Sequence, residues 1–300
     1  MRVTQGMLNN QLLRNLNTNL SRLEVLQNQM ATGKRINKPS DDPVGLSFAL
    51  RYRSELVSNE QYQRNVDSAT SWLEYTDKLI SETNDVLQRA RELAVQGANG
   101  TNSDESMEAL AMEVEQLYEQ LVNIGNSQFN GKYVFNGQKT DQPPYDMATA
   151  KLLGTADPDT GKILFEIGTG ITIPVNISGK ELFGANDATN PNAFQVLEEL
   201  RSALMNHNQS DVNTVLGKLD NVLDNAMSKW AEVGARSNRV ELMKNRLDNE
   251  NINIQTLLSK AEDADLAEVM INLKMEENIY QASLSTGARI IRPTLVDFLR

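Results

Sequence analysis

From residue 266 to the end, the chain reads LAEVMINLKMEENIYQASLSTGARIIRPTLVDFLR. Apolar or small residues fall at Leu266, Met270, Leu273, Tyr280, Leu284, Gly287, Ile291 and Phe298, with Glu277 and Thr294 the polar exceptions on the same line. Steps alternating between four and three make a heptad seam, which predicts an amphipathic helix with a narrow apolar stripe. A helix of that kind at a chain end cannot bury its stripe in itself and needs a partner helix. The other end offers one, since Leu13, Leu16, Leu20, Leu23, Gln27 and Met30 keep the same step and Leu12 and Leu26 widen the stripe. No proline precedes Pro39, so residues 4–31 are expected to run as one helix of roughly 40 Å, stopped by Gly33. The two seams are expected to pair with each other or with the ends of neighbouring molecules.

Between the ends the helical period continues. Asp42-Pro43 reads as an N-cap followed by proline at the first helical position, with Asp41 adding charge that suits a helix start. Leu46, Leu50, Val57, Val66, Trp72, Leu79, Val86 and Leu93 carry that second helix to about Gln96, where Gly97 and Gly100 end it. Asn102 or Ser103 caps a third helix through Leu110, Val114, Leu117 and Leu121, expected to double back on the second. From 131 to 191 the chain turns rich in Gly, Pro, Asp and Thr, and residues 133–135, 163–167 and 171–177 read as short strands with turns at Asp159-Thr160-Gly161 and Gly168-Thr169-Gly170. Pro174 marks an edge or a bulge. Asn190-Pro191 repeats the cap signal, and a very long pattern starting near Asp211 runs through Leu219, Trp230, Val240 and Leu257. The seam shifts register at residues 263–265, which predicts a break there.

The expected fold is mainly α: a long antiparallel helical bundle or coiled coil formed by the N- and C-terminal segments, with a small β-rich domain inserted in the middle. Its divisions are residues 1–40 with 265–300 as a terminal helical assembly region, 41–130 with 192–264 as a helical rod, and 131–191 as the insertion. Composition agrees with extended helices sharing narrow seams, because only 5% of the 300 residues are aromatic and mean hydropathy is -0.45. A net charge of -11 argues against a nucleic-acid surface. With no cysteine, disulfides and thiolate metal sites are excluded. No apolar run approaches the ~20 residues of a membrane span, and MRVTQGMLNNQLL has no continuous apolar stretch of the kind a cleaved secretory signal needs.

Candidate chemistry is sparse. His207, the single histidine, sits in a polar break with no nucleophile, carboxylate or metal partner placed by spacing. Asp41 and Asp42 are explained by capping, and Glu113, Glu115 and Glu119 by a solvated helix face rather than a metal cluster. Gly168-Thr169-Gly170 is not followed by a helix, which removes the phosphate-loop reading. Trp72 and Trp230 fall at core spacing, where packing is expected. No enzyme, metal or cofactor is expected.

LNTNLSRLEVLQNQMATGKRINKPSDDPVGLSFALRYRSE, then LQRARELAVQGANGTNSD, resembles the N-terminal region of the bacterial flagellin superfamily, and LSTGARIIRPTLVDFLR resembles its C-terminal end. The KPSDDPVG loop and FNGKYVFNGQKTDQPPYD are closer to the hook-filament junction branch than to flagellin itself. The resemblance implies a structural subunit, exported by the flagellar type III apparatus with a cytoplasmic chaperone on its C-terminal helix. It further implies assembly as a homo-oligomeric ring between hook-associated protein 1 and flagellin at the extracellular hook-filament junction, with paired termini inside and the middle segments outside. The residues expected to carry assembly are Leu13, Leu16, Leu20, Leu23, Met30, Leu266, Met270, Leu273, Tyr280, Leu284, Ile291 and Phe298. Alternative readings are a filament subunit of the same family and, from another class, a secreted membrane-active helical effector. The effector is disfavoured because Glu276, Glu277 and Asp297 spoil the basic face such helices carry.

Overall fold

The computed structural model describes residues 5–99, 102–145, 158–185 and 192–290. In chain order these form α1 (Gln5–Thr32), α2 (Pro43–Ala98), α3 (Asp104–Gly125), β1 (Gln128–Phe129), β2 (Lys132–Tyr133), β3 (Leu164–Gly168), β4 (Ile171–Pro174), α4 (Gly179–Phe183), α5 (Ala193–Met205), α6 (Gln209–Glu262) and α7 (Leu266–Ile290). They fall into two compact units, Met1–Ser58 with Glu250–Arg300 and Asn59–Asn249, and the division lies inside α2 and inside α6. The fold is mainly α with two small hairpins, as the periodicity predicts.

Local chemistry sets the helix ends. The Asp42 carboxylate accepts from the Gly45 N–H at 2.9 Å, so it caps α2. Ser103 caps α3 by accepting from the Ser106 N–H, with Asp104 and Glu105 in the first turn. The cap of α5 is Asn192, which accepts from the Gln195 N–H at 2.8 Å; Asn190 and Pro191, which carry the expected signal, lie outside the described residues. Helix α6 begins at Gln209, close to the expected Asp211, with Asn208 as its cap, the side-chain oxygen accepting from the Ser210 N–H at 3.1 Å. The expected break is present, with α6 ending at Glu262 and Asp265 capping α7 through the Ala267 N–H at 2.9 Å.

In the Asn59–Asn249 unit, α2 and α6 run antiparallel. Asn59 donates to the Leu247 carbonyl at 3.2 Å, Lys244 meets Asp67 at 2.8 Å, Trp230 Nε1 donates to Asp77 at 2.6 Å and Arg91 meets Asp220 at 2.6 Å. Helix α3 doubles back, its Glu113 accepting from Arg89 at 2.8 Å. The core is one cluster built from Leu73, Ile80 and Leu87 of α2, Val114 and Leu121 of α3, Leu197 and Leu204 of α5, and Leu219 of α6. Phe135, Tyr145, Phe183 and Phe194 add edge-on and tilted ring contacts 4.6 to 5.8 Å apart. Tyr118 packs edge-on against Phe194, and burial, reinforced by the nearby Glu198 carboxylate, pushes its hydroxyl up to about 12.

The middle region is less regular than the sequence implies. β1 and β2 close on a tight Asn130-Gly131 turn with φ of 50° and 76°. That conformation suits a two-residue hairpin and favours these two residue types. The strand expected at 133–135 stops at Tyr133. Beyond it, Gly137 takes φ +55° and lies so close to the Asp159 carbonyl that a Cβ would sit 2.3 Å from it. β3 and β4 form the second hairpin with a register shift between Glu166 and Gly168, and β4 ends at Pro174, which has no N–H for the ladder. Ile177 is buried but outside the strand. Helix α4 is unforeseen: Ser178 and Glu181 make a reciprocal capping box at its start.

Candidate functional site

Helices α1 and α7 pack antiparallel within the other unit. Leu12 lies against Gly287, where an added Cβ would come within 2.7 Å of the Leu12 side chain. Asn19 donates to Ser283 at 3.4 Å, and Arg22 approaches Glu276 at 3.7 Å. Glycine at 287 therefore permits close approach of the helices at that level. The inward face of α1 carries Leu12, Leu16, Asn19, Leu23, Leu26 and Met30, all half-buried, and that of α7 carries Val269 and Gly287, both buried, with Leu273, Tyr280 and Ser283 half-buried.

The residues expected to carry assembly divide accordingly. Leu16, Leu23, Met30, Leu273 and Tyr280 are half-buried. Leu13, Leu20, Leu266, Met270 and Leu284 remain 45 to 57% exposed. Ile291 and Phe298 lie outside the described residues. Sequence reasoning placed Val269 and Asn19 on no stripe; Asn19 breaks the apolar repeat of the inward line, so that line reads as the weaker one.

The exposed apolar residues are concentrated in this unit. Among the described residues, seventeen of the large apolar side chains left exposed belong to it and seven to the Asn59–Asn249 unit. Among the described residues, its buried apolar side chains are only Ile36, Ala49, Ile254 and Val269. The uncovered side chains include Met7 and Leu8 on α1, Val44, Phe48 and Leu50 at the start of α2, Ile252 and Leu257 near the end of α6, and Ile271, Met275 and Ile279 on α7. So many large apolar side chains left to solvent in one unit single it out as a candidate interaction surface.

The other candidates resolve as structure. Asp42 is held below the ordinary carboxylate value of 3.8, first by the Gly45 N–H it accepts and further by Arg35, 3.3 Å away. Asp41 accepts from the Asn37 and Lys38 N–H groups at 3.0 and 2.8 Å, closing the turn before α2. Glu113 is paired to Arg89 at 2.7 Å. His207 occupies the turn between α5 and α6 with φ 51°, its ring 3.7 Å from the exposed Asp104 carboxylate. Trp72 is buried edge-on against Phe129; Trp230, expected in the core, is 37% exposed because its indole N–H reaches out to Asp77. Among the described residues no cluster of acids or histidine suits a metal ion, and no helix is long and apolar enough to cross a membrane.

Both helical regions at the two ends of the sequence match known proteins. The family model of the bacterial flagellin N-terminal helical region matches residues 3–140, and that of the C-terminal helical region matches residues 216–299. The chain belongs to the bacterial flagellin family. It is a structural component of the flagellum, from a family of structural proteins rather than enzymes. Flagellar hook-associated protein 3 of Escherichia coli (strain K12) is 26% identical over 304 residues, covering 94% of this chain and 95% of that protein. The flagellar filament 30.7 kDa core protein of Treponema maltophilum is 26% identical over 263 residues, covering 87% and 86%. The crystal structure of flagellar hook associated protein-3 from Legionella pneumophila shares the fold with a TM-score of 0.64 at 17% identity, over 70% of this chain and 97% of that one.

Proposed function

We propose that this flagellin-family chain is the hook-filament junction subunit, assembling as a ring between hook-associated protein 1 on the hook side and flagellin on the filament side. The observation that carries the proposal is the apolar surface of α1, α7 and the adjoining ends of α2 and α6, which this chain leaves uncovered. Alignment with hook-associated protein 3 over nearly its whole length supports the junction position over the filament. In this reading residues 1–40 with 265–300 are the assembly region, 41–130 with 192–264 the rod, and 131–191 an outward insertion. The flagellar type III apparatus exports the chain, with a chaperone covering the C-terminal helix beforehand.

Helix physics supplies the mechanism. Ordering a residue costs about 1 to 2 kcal/mol, and a two-helix hairpin buries too little apolar area to offset that along its full length. Neighbouring subunits supply the missing burial, so ordering of the ends and incorporation proceed together. Immunogold labelling of isolated flagella tests the location: label confined to the junction is expected, and label along the filament would reject it. Replacing Leu13, Leu20 and Leu284 together by Ala is expected to abolish incorporation with the Asn59–Asn249 unit still folded by circular dichroism.

A further inference from the structure

The loop joining α1 to α2 is bonded to the corner where α6 gives way to α7. Gly33, with φ +70°, ends α1 and its carbonyl accepts from the Ala264 N–H at 2.9 Å. The Arg35 N–H donates to the Glu262 carbonyl at 2.7 Å, and Lys34 and Asp263 form an antiparallel bridge. The Arg35 guanidinium reaches the Ala261 carbonyl at 3.0 Å. Within this clasp lies the Glu262 side chain, 8% exposed, with Lys34 Nζ 2.8 Å from one oxygen and the Arg53 guanidinium on the other. A carboxylate at the last position of a helix faces the negative end of the helix dipole, the least favourable place for it. Burial adds a desolvation cost that only well-placed cations offset. Helix propensity therefore does not account for Glu262, whereas two cations brought from α2 and the α1–α2 loop do.

We infer that Glu262 is a positioning residue: it locks the α1–α2 loop to the α6–α7 corner, which fixes where α1 ends and α7 begins relative to each other, so that the two come together as one pair when the ends order on assembly. The inference rests on the reading of the α1–α7 pair as the assembly element. It adds that this element is set by a charge cluster about one helix turn beyond the pair, outside the apolar surface itself. Once the clasp opens, the two connections move independently, and the surface is lost with none of its own residues changed.

The test uses the full-length protein carrying Glu262→Gln, followed by amide hydrogen exchange and by incorporation at the junction in cells lacking the natural copy. The Arg35 and Ala264 amides are expected to exchange roughly tenfold faster, since the half-exposed cations regain water and limit the cost. Amides around Leu121 stay protected, and incorporation falls. Arg53→Gln gives the same pattern, and the double variant is little worse than either single, because both act on one interaction. Unchanged exchange at Arg35 and Ala264, additive effects, or faster exchange with normal incorporation would each overturn the inference. Failure of the assembly reading has a separate signature: normal incorporation of the Leu13, Leu20 and Leu284 variant, whose clasp is intact.

Discussion

At the scale of single residues, caps and close contacts decide where the elements begin and how near they come. Asp42→Ala removes the oxygen that accepts from Gly45 and lowers the melting temperature at neutral pH. The sign of its pH dependence follows from a folded-state pKa held below 3.8. The contribution of Asp42 is complete above the unfolded value and disappears as pH falls through the lower, folded one. The melting difference between wild type and Asp42→Ala should therefore be present at pH 7 and shrink as pH falls below 3.8 towards the lower, folded value. Gly287→Leu tests the opposite end of the chain: the new side chain meets Leu12 and forces α1 and α7 apart. Reduced incorporation with an unaltered melting transition for the Asn59–Asn249 unit is the expected result. In that unit, Leu121 is fully buried, and Leu121→Ala should cost about 2 to 5 kcal/mol by chemical denaturation.

At the scale of elements, long helices were readable from the sequence because burial repeats every 3.6 residues and proline and glycine punctuate it. The side of each terminal helix that faces its partner was not readable. On α1, the line through Leu13, Leu16, Leu20 and Leu23 and the line through Leu12, Leu16, Asn19, Leu23 and Leu26 both keep heptad steps and share residues. Periodicity favours the first because Asn19 interrupts the second, but Asn19 pairs with Ser283 and faces inward. Leu16→Ala should thus loosen the α1–α7 pair itself, whereas Leu13→Ala leaves it intact and weakens only association between molecules; exchange rates on α1 separate the two. The insertion was harder still, since its buried residues are held by side chains from elsewhere. Arg236 of α6 donates to the Asn176 carbonyl at 2.9 Å and the Pro174 carbonyl at 3.3 Å, with Glu232 orienting it. No local pattern in 171–177 announces that arginine. Arg236→Ala should destabilise the β3–β4 segment by about 2 kcal/mol, seen as faster exchange of the Val175 amide.

At the scale of the whole molecule, one unit has a continuous core and the other has almost none of its own. Trypsin treatment of the purified protein should cut first at Arg14, Arg22, Lys274 and Arg289 and spare the Asn59–Asn249 unit. Equal resistance throughout would contradict coupled ordering and assembly.

Because the division between the units falls inside two unbroken helices, the natural stops at Gly33 and Asp265 are poor places to shorten the chain. A fragment trimmed there still carries Val44, Phe48, Leu50, Ile252 and Leu257 on helix stumps. Such a fragment should clump in proportion to its concentration in sedimentation runs, and become well behaved only when cut back past Ser58 and Glu250.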